Sequence, residues 1–315
     1  MPLLFAATVT MAVTGDAQKK TARPARKDGP ARIAELWSEP PAGRDLFFGV
    51  GGRALQPDPR QSFTVIEIKA NGFSDGYIVE DEKKREWSAK LPPEGPTEVV
   101  ASRIFWGIGY HQPPIYLLAA WRAAGATDPN PQRPARFREK KPHFHGLTDK
   151  GVWSYYDSPF LESRPLKGLL VLQAMLGNSD LKDEQNAVYE LDAPVEGARR
   201  WYVARDLGQT FGRTGKFDPP RGDVEAFEQT TFIRSVDGDR VTLEYHGRHE
   251  VLFEHITVGD VQWICQRLNR LSDRQWHDAF RAGGYEPAIA DRFIAHLKAK
   301  IAEGLALRPS KGRSS

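Results

Sequence analysis

Hydrophobic and polar residues alternate regularly along the chain from residue 63, and this pattern predicts a series of β-strands. Strands are expected at 63–69, 77–79 and 86–91, joined first by a glycine-containing turn and then by a short charged turn, because successive side chains of a strand point to opposite faces. The pattern then changes to one that predicts a helix over 98–108 and a buried fourth strand over 115–121. The predicted order is strand, strand, strand, helix, strand.

The second half of the chain is predicted to be mainly helical. Residues 124–160 are rich in proline, charge and aromatic residues, which favours an irregular connection. Beyond it, closely spaced leucines predict a buried helix over 166–176, and three further helices are expected after residue 260, the second starting at the capping box Ser272–Gln275. Two hairpins are predicted between these helices: 187–191 with 200–205, and 231–236 with 241–245.

The two ends of the chain differ from this periodic region. Pro2 to Val13 form an apolar stretch of signal-peptide length, although no basic residue precedes it, and a buried N-terminal strand is the alternative. We predict a signal peptide over 1–17, a basic linker over 18–32 and a basic tail over 306–315. Export to the periplasm or beyond is therefore expected, with a cytoplasmic location as the alternative.

Charge and composition narrow the classes of function. The 315 residues carry a formal charge of +3, but this falls to −4 when the two basic end segments, 1–32 and 308–315, are left out. Basic ends of this kind are typical of solvated leaders, so no nucleic-acid partner is predicted. No apolar run reaches the roughly 20 residues that span a bilayer, so no membrane span is expected in the mature chain. The single cysteine, Cys265, excludes an intrachain disulfide.

Residues that could bind a phosphate group lie in the predicted meander and the helix after it. Gly72 and Gly76 stand in the first turn, where a glycine backbone could approach a nucleotide closely. Lys90 lies on the third strand, and Glu98 at the start of the helix could form an ion pair with it, with Glu94 as a competitor. Each residue alone is equally typical of a solvated turn or an exposed charge.

A second group of candidates follows the 166–176 helix. Asp180, Lys182 and Asn186 lie in one polar loop, and Asp206-Leu207-Gly208 follows the two strands after it. Phosphoryl transfer needs a cation near the phosphates, a carboxylate to take the proton of the acceptor, and oxygen ligands for magnesium. The joint occurrence of these motifs after a lysine-bearing strand favours such a site.

These motifs resemble those of atypical kinase-like proteins of bacteria. The chain shares features with HipA-like and secreted Fam20-like kinases, and it looks most like an uncharacterised group of exported bacterial proteins. The resemblance depends on four short segments: Trp87-Ser88-Ala89-Lys90, Glu98 to Arg103, Asp180-Leu181-Lys182, and Asp206 to Gly212.

The resemblance implies a bilobal kinase-like fold of the α+β class. A small antiparallel sheet plus one helix would form the N-terminal lobe over 33–125, and a mainly helical C-terminal lobe would occupy 126–305. It further implies ATP and Mg²⁺ as cofactors, with Lys90 on the phosphates and Asp180 as the base beside Lys182. Asn186 and Asp206 would then bind the metal, and an unidentified molecule would offer the accepting hydroxyl.

Two departures from classical kinases leave the activity open. The asparagine is expected five residues after the aspartate, where this chain has Gln185, with Asn186 one position further. Asn178-Ser179 replaces the usual histidine-arginine pair before Asp180. A phosphotransferase is the leading hypothesis, and a catalytically silent kinase-like binding module or a structural envelope protein are the alternatives.

Overall fold

A computed structural model describes residues 32–69, 73–124 and 133–310 and has a mixed α+β fold. The predictions for 1–17, for nearly all of 18–32, for Gly72 and for the end of the tail lie outside these residues. The strands are β1 (Ser62–Lys69), β2 (Gly76–Glu80), β3 (Glu86–Lys90), β4 (Ile115–Leu118), β5 (Arg122–Ala124), β6 (Ala135–Glu139), β7 (Thr148–Gly151), β8 (Asn186–Val195), β9 (Ala198–Ala204), β10 (Ile233–Asp237) and β11 (Arg240–Leu243). The helices are α1 (Glu94–Gly107), α2 (Arg164–Met175), α3 (Val224–Glu228), α4 (Val258–Leu268), α5 (Asp273–Ala282) and α6 (Pro287–Ala306).

The N-terminal half is built on a six-stranded sheet with the order β4-β6-β3-β2-β1-β5. The predicted meander β1–β2–β3 is present and antiparallel, whereas β5 pairs with β1 in parallel. One face of the sheet buries an aromatic cluster that includes Phe63, Trp87, Trp121 and Phe137. Burying such large rings supplies much of the free energy that holds the sheet together.

The prediction of an irregular connection over 124–160 is wrong at two places, because this segment contains β6 and β7. β6 lies between β3 and β4, so the sheet continues beyond residue 125. Its sequence alternates: Ala135 and Phe137 are buried in the aromatic cluster, while Arg136 and Arg138 both bind the carboxylate of Glu98. In the sequence, two arginines this close together are typical of a solvated loop. In the fold, both form charged hydrogen bonds with Glu98, which is distant in the chain.

Helix α1 starts earlier than the sequence predicts. It begins at Glu94, after Pro93, and Thr97 is therefore inside the helix and is not its N-cap. The Thr97 hydroxyl instead lies 2.6 Å from the carbonyl oxygen of Gly208, to which it donates a hydrogen bond. Thr97 thus connects the first turn of α1 to the Asp206-Leu207-Gly208 turn.

The C-terminal half contains α2 to α6, the β7–β8–β9 sheet and the β10–β11 hairpin. The capping box predicted at Ser272 and Gln275 is present at the start of α5. The main hydrophobic core joins α2 and α4–α6 to the inner face of α1, through residues such as Ile104, Leu172, Ile264, Phe280 and Phe293. Within the described part of the chain, no helix is both long and apolar enough to cross a membrane.

Candidate active site

A cleft of about 820 Å³ opens between the β1–β3 meander and the C-terminal half. Strands β1–β3, the first turn of α1, and the segments 179–185, 206–209 and 215–221 contribute to its walls. The residues singled out from the sequence that line it include Gly76, Lys90, Glu94, Asp180, Lys182, Gln185 and Asp206.

Lys90 is the ion-pairing centre of the cleft. On β3, Trp87 and Ala89 face the aromatic core, so the alternation of the strand turns Lys90 to the opposite side. Its ammonium nitrogen lies 2.5 Å from Asp206 Oδ1, 3.4 Å from Glu94 Oε2 and 3.7 Å from Glu98 Oε2. Burial would lower the pKa of Lys90, but Glu98 and Asp206 outweigh it and raise this pKa. Lys90 is therefore a cation at neutral pH.

Glu98 anchors this arrangement from behind. Its side chain is only 3% exposed. Its Oε2 accepts a hydrogen bond from Arg136 Nε at 3.0 Å and forms a salt bridge with Arg136 Nη2 at 2.9 Å. Arg138 donates to Oε1 at 3.1 Å. Burial would raise the pKa of Glu98, but Arg136 and Lys90 lower it below its ordinary value. The expected pairing with Lys90 is present, although the competitor Glu94 is closer.

Asp206 lies two residues after the end of β9 and has a left-handed backbone, with a φ of 58°. Burial would raise its pKa, but Lys90 and Arg138 hold the pKa of this carboxyl well below its usual range. Gly208 follows two residues later, where a Cβ atom would lie 2.7 Å from the Cβ of Glu94. Glycine at this position lets the Asp206 turn pack directly on α1.

Asp180 lies at the other side of the cleft. Its Oδ2 accepts hydrogen bonds from Lys182 Nζ at 2.9 Å and from Gln185 Nε2 at 2.7 Å. Its Oδ1 forms an ion pair with Arg248 at 3.1 Å. Both oxygens of the candidate base are therefore paired, two of the three partners being cations.

The structure does not bring Asn186 to the cleft. Asn186 is 1% exposed and donates a hydrogen bond to the carbonyl oxygen of Trp153. Gln185, one position earlier, lines the cleft instead. Residues 183–185 form a short 3₁₀ turn, so Gln185 faces the cavity and Asn186 enters β8 with its side chain inward.

Gly76 opens β2 and pairs with Lys90 across the sheet. A Cβ atom at Gly76 would lie 2.8 Å from the carbonyl oxygen of Ala89. Glycine is therefore required here by the close approach of two strands, in addition to any role toward a nucleotide.

Among the basic residues of the cleft that sequence reasoning missed are Arg221 and Arg248. Arg248 pairs with Asp180, and Arg221 pairs with Glu94. Both come from segments without a recognisable motif, and each reaches the cleft only through the tertiary fold. No local sequence signal identifies them.

The oxygen donors of the cleft fit a magnesium ion that also binds phosphate. Among the described residues, no group of three or more His, Cys, Asp or Glu side chains is arranged to hold a metal by itself. Mg²⁺ in nucleotide sites needs only one or two carboxylates, because phosphate oxygens and water complete its shell. The ionised Asp206, with the amide oxygen of Gln185, could supply such ligands.

Comparison with known proteins gives structural likeness only. No protein-family model and no curated protein matches the chain. The Helicobacter pylori proinflammatory kinase CtkA is similar at 12% identity and a TM-score of 0.33, over 77% of this chain and 98% of the kinase. The Golgi casein kinase is similar at 9% identity and a TM-score of 0.41, over 80% of this chain and 73% of the kinase.

Proposed function

We propose that this chain is a kinase-like phosphotransferase that moves a phosphoryl group from a nucleotide to a hydroxyl acceptor. The observation that carries the proposal is the meeting of Lys90, Asp206 and Asp180 in one cleft, although they lie on three separate segments. A partly buried cation, an ionised carboxylate and a second carboxylate in one cavity are the groups that phosphoryl transfer requires.

The residues divide into two sets. Lys90 binds phosphate oxygens, and Glu98 keeps the ammonium group in place from behind. Asp206 and Gln185 would hold Mg²⁺, which when bound neutralises phosphate charge. The hydroxyl oxygen of the acceptor bonds to phosphorus while the bond from phosphorus to the nucleoside diphosphate breaks. Asp180 takes the proton that this hydroxyl loses.

One observation favours a second candidate, a catalytically silent binding module. Both oxygens of Asp180 are already paired, with Lys182 and Gln185 on one and Arg248 on the other. A base must be free to accept a proton, so these partners oppose proton transfer unless an acceptor displaces them. The nucleotide site around Lys90 would be unaffected in such a module.

Titration of the folded protein with ATP and GTP, each with and without Mg²⁺, tests the nucleotide site. We expect Mg²⁺-dependent binding that Lys90→Met weakens by about tenfold or more, because a charge-assisted hydrogen bond is lost. Asp206→Asn serves as a second variant. Lys84→Met is the matched control, since Lys84 lies on the exposed turn before β3 with its side chain 81% exposed.

The outcomes separate the hypotheses. Absence of binding by the folded wild type under all four conditions would overturn both nucleotide hypotheses. If nucleotide binds, Asp180→Asn decides between enzyme and silent module: the enzyme loses about 10²–10⁴-fold in turnover with nearly unchanged nucleotide affinity. A silent module has no turnover to lose.

A further inference from the structure

Arg221 is a buried cation of the cleft whose hydrogen bonds are incomplete. Its side chain is 5% exposed, and it reaches the cleft from the segment before α3. Nη1 donates to Glu94 Oε1 at 2.5 Å, and Nη2 donates to Asp218 Oδ1 at 2.9 Å. The Nε atom is buried and has no hydrogen-bond partner. A buried donor without a partner is costly, so this one requires an explanation.

The guanidinium group of Arg221 is held in a fixed orientation. Phe73, three residues before β2, places the centre of its ring 3.4 Å from the Arg221 Cζ atom. The ring itself is 53% exposed, so the contact is made at the open side of the cleft. Stacking on an aromatic ring fixes the plane of the guanidinium group and leaves its five N–H donors free to form hydrogen bonds.

Glu94 places Arg221 and Lys90 on the two sides of a single carboxylate. Its Oε1 binds Arg221, while its Oε2 lies 3.4 Å from the Lys90 ammonium. The two cations are thus separated by one carboxylate group, and both line the same cavity. A polyanion that enters the cleft between Phe73 and Asp206 meets both positive charges.

We infer that Arg221 is a second phosphate-binding residue for the nucleotide, acting together with Lys90. This inference rests on the proposed function. Phosphate oxygens match the fork of an arginine, and a shift of the Arg221 side chain toward a bound phosphate would give the buried Nε–H the acceptor that it lacks. Arg221 would bind a phosphate group other than the one on Lys90, with Phe73 keeping its plane aligned.

A purely structural role is the competing explanation, since Arg221 also ties Glu94 on α1 to the segment around Asp218. The two roles differ in how the effect depends on the ligand. A structural residue affects every ligand of the cleft alike, whereas a phosphate-binding residue affects only ligands that carry phosphate.

The experiment measures the dissociation constants of ATP, inorganic tripolyphosphate and adenosine in the presence of Mg²⁺. The proteins are the wild type, Arg221→Gln, Arg221→Lys and the control Arg234→Gln. Arg234 is an exposed arginine paired with Glu244 and does not line the cleft. We expect Arg221→Gln to weaken ATP and tripolyphosphate by about 10- to 100-fold and to leave adenosine unchanged. For Arg221→Lys, the affinity for ATP and tripolyphosphate should lie between those of the wild type and Arg221→Gln, because lysine keeps the charge but lacks the several N–H donors of the guanidinium group.

The possible failures are distinguishable. If the wild type binds neither ATP nor GTP, the proposed function fails and this inference fails with it; if it binds only GTP, GTP and guanosine replace ATP and adenosine in the comparison. If the wild type binds ATP and Arg221→Gln binds it equally well, only the role of Arg221 is overturned. A loss of the same size for adenosine would show a structural role and would also overturn it. If Arg221→Gln does not fold, Arg221→Lys takes its place. A loss of affinity for ATP but not for adenosine, relative to the wild type, then supports the inference, and equal or absent losses overturn it.

Discussion

Lys300 offers a test of how the C-terminal core supports the Asp180 loop. This lysine on α6 is 4% exposed and donates to the carbonyl oxygen of Met175 at 3.2 Å and to Thr230 Oγ1 at 2.7 Å. Its ammonium nitrogen lies 4.2 Å from the centre of the Phe227 ring. Met175 ends α2, directly before the loop that carries Asp180. The charge of Lys300 should therefore affect stability close to the cleft.

Burial lowers the pKa of Lys300 from its ordinary 10.5 to about 7, because desolvation outweighs the attraction of Glu303. The unfolded chain keeps this proton up to about pH 10.5, whereas the folded chain loses it above about pH 7. Between these values the unfolded state binds more protons, so the free energy of unfolding rises with pH. At about 1.4 kcal/mol per pH unit, Lys300 should add about 2 kcal/mol of stability from pH 7 to pH 9.

Urea denaturation at pH 7 and pH 9 measures this effect on the wild type, Lys300→Met and Lys298→Met. Lys298 lies on the same helix, but its side chain is 45% exposed and pairs with Asp273, so it is the control. We expect the increase of about 2 kcal/mol in the wild type and in Lys298→Met, and its loss in Lys300→Met. The nearby His296 contributes little in this window, because burial and Lys300 lower its pKa below the ordinary 6.5. Parallel pH dependence in all three proteins would refute the reasoning.

Two further predictions concern contacts behind the cleft and are measured by chemical denaturation. Thr97→Val should lower the free energy of unfolding by about 1–3 kcal/mol, because the Gly208 carbonyl loses its donor, whereas Thr97→Ser should keep most of the stability. Glu98→Gln should cost about 3–5 kcal/mol, because Arg136 would remain buried without a countercharge. The exposed pair of Glu86 is the control, and Glu86→Gln should change stability by less than about 1 kcal/mol. Equal effects at positions 86 and 98 would contradict the second prediction.

The sequence predicts those parts of the fold that depend on local periodicity. The β1–β3 meander, α2 and the capping box of α5 all follow from side-chain spacing within one element. Strand β6 was missed because Arg136 and Arg138 make it look like a solvated loop. Only the position of Glu98, nearly 40 residues earlier in the chain, explains why these charges are tolerated.

The candidate site was predictable to a similar extent. Motif spacing selected Lys90, Asp180 and Asp206, and the fold brings them to one cleft. Spacing alone could not decide between Gln185 and Asn186, because one residue of difference reverses the direction of a side chain where a turn enters a strand. Arg221 was out of reach, since its role depends on contacts with Glu94 and Phe73 that exist only in the folded chain. The roles of these residues stay predictions, as does export.

Covalent labelling with an acyl phosphate derivative of ATP would locate the phosphate-binding lysine directly. Such a reagent carries its reactive carbonyl at the end of the phosphate chain, so it acylates a lysine that lies beside the bound phosphates. Mass spectrometry of the labelled protein should show modification of Lys90 in the presence of Mg²⁺, and excess ATP should prevent it. The exposed Lys84 should be labelled slowly and without protection. Labelling confined to exposed lysines, with no protection by ATP at Lys90, would contradict the assignment of this cleft as a nucleotide site.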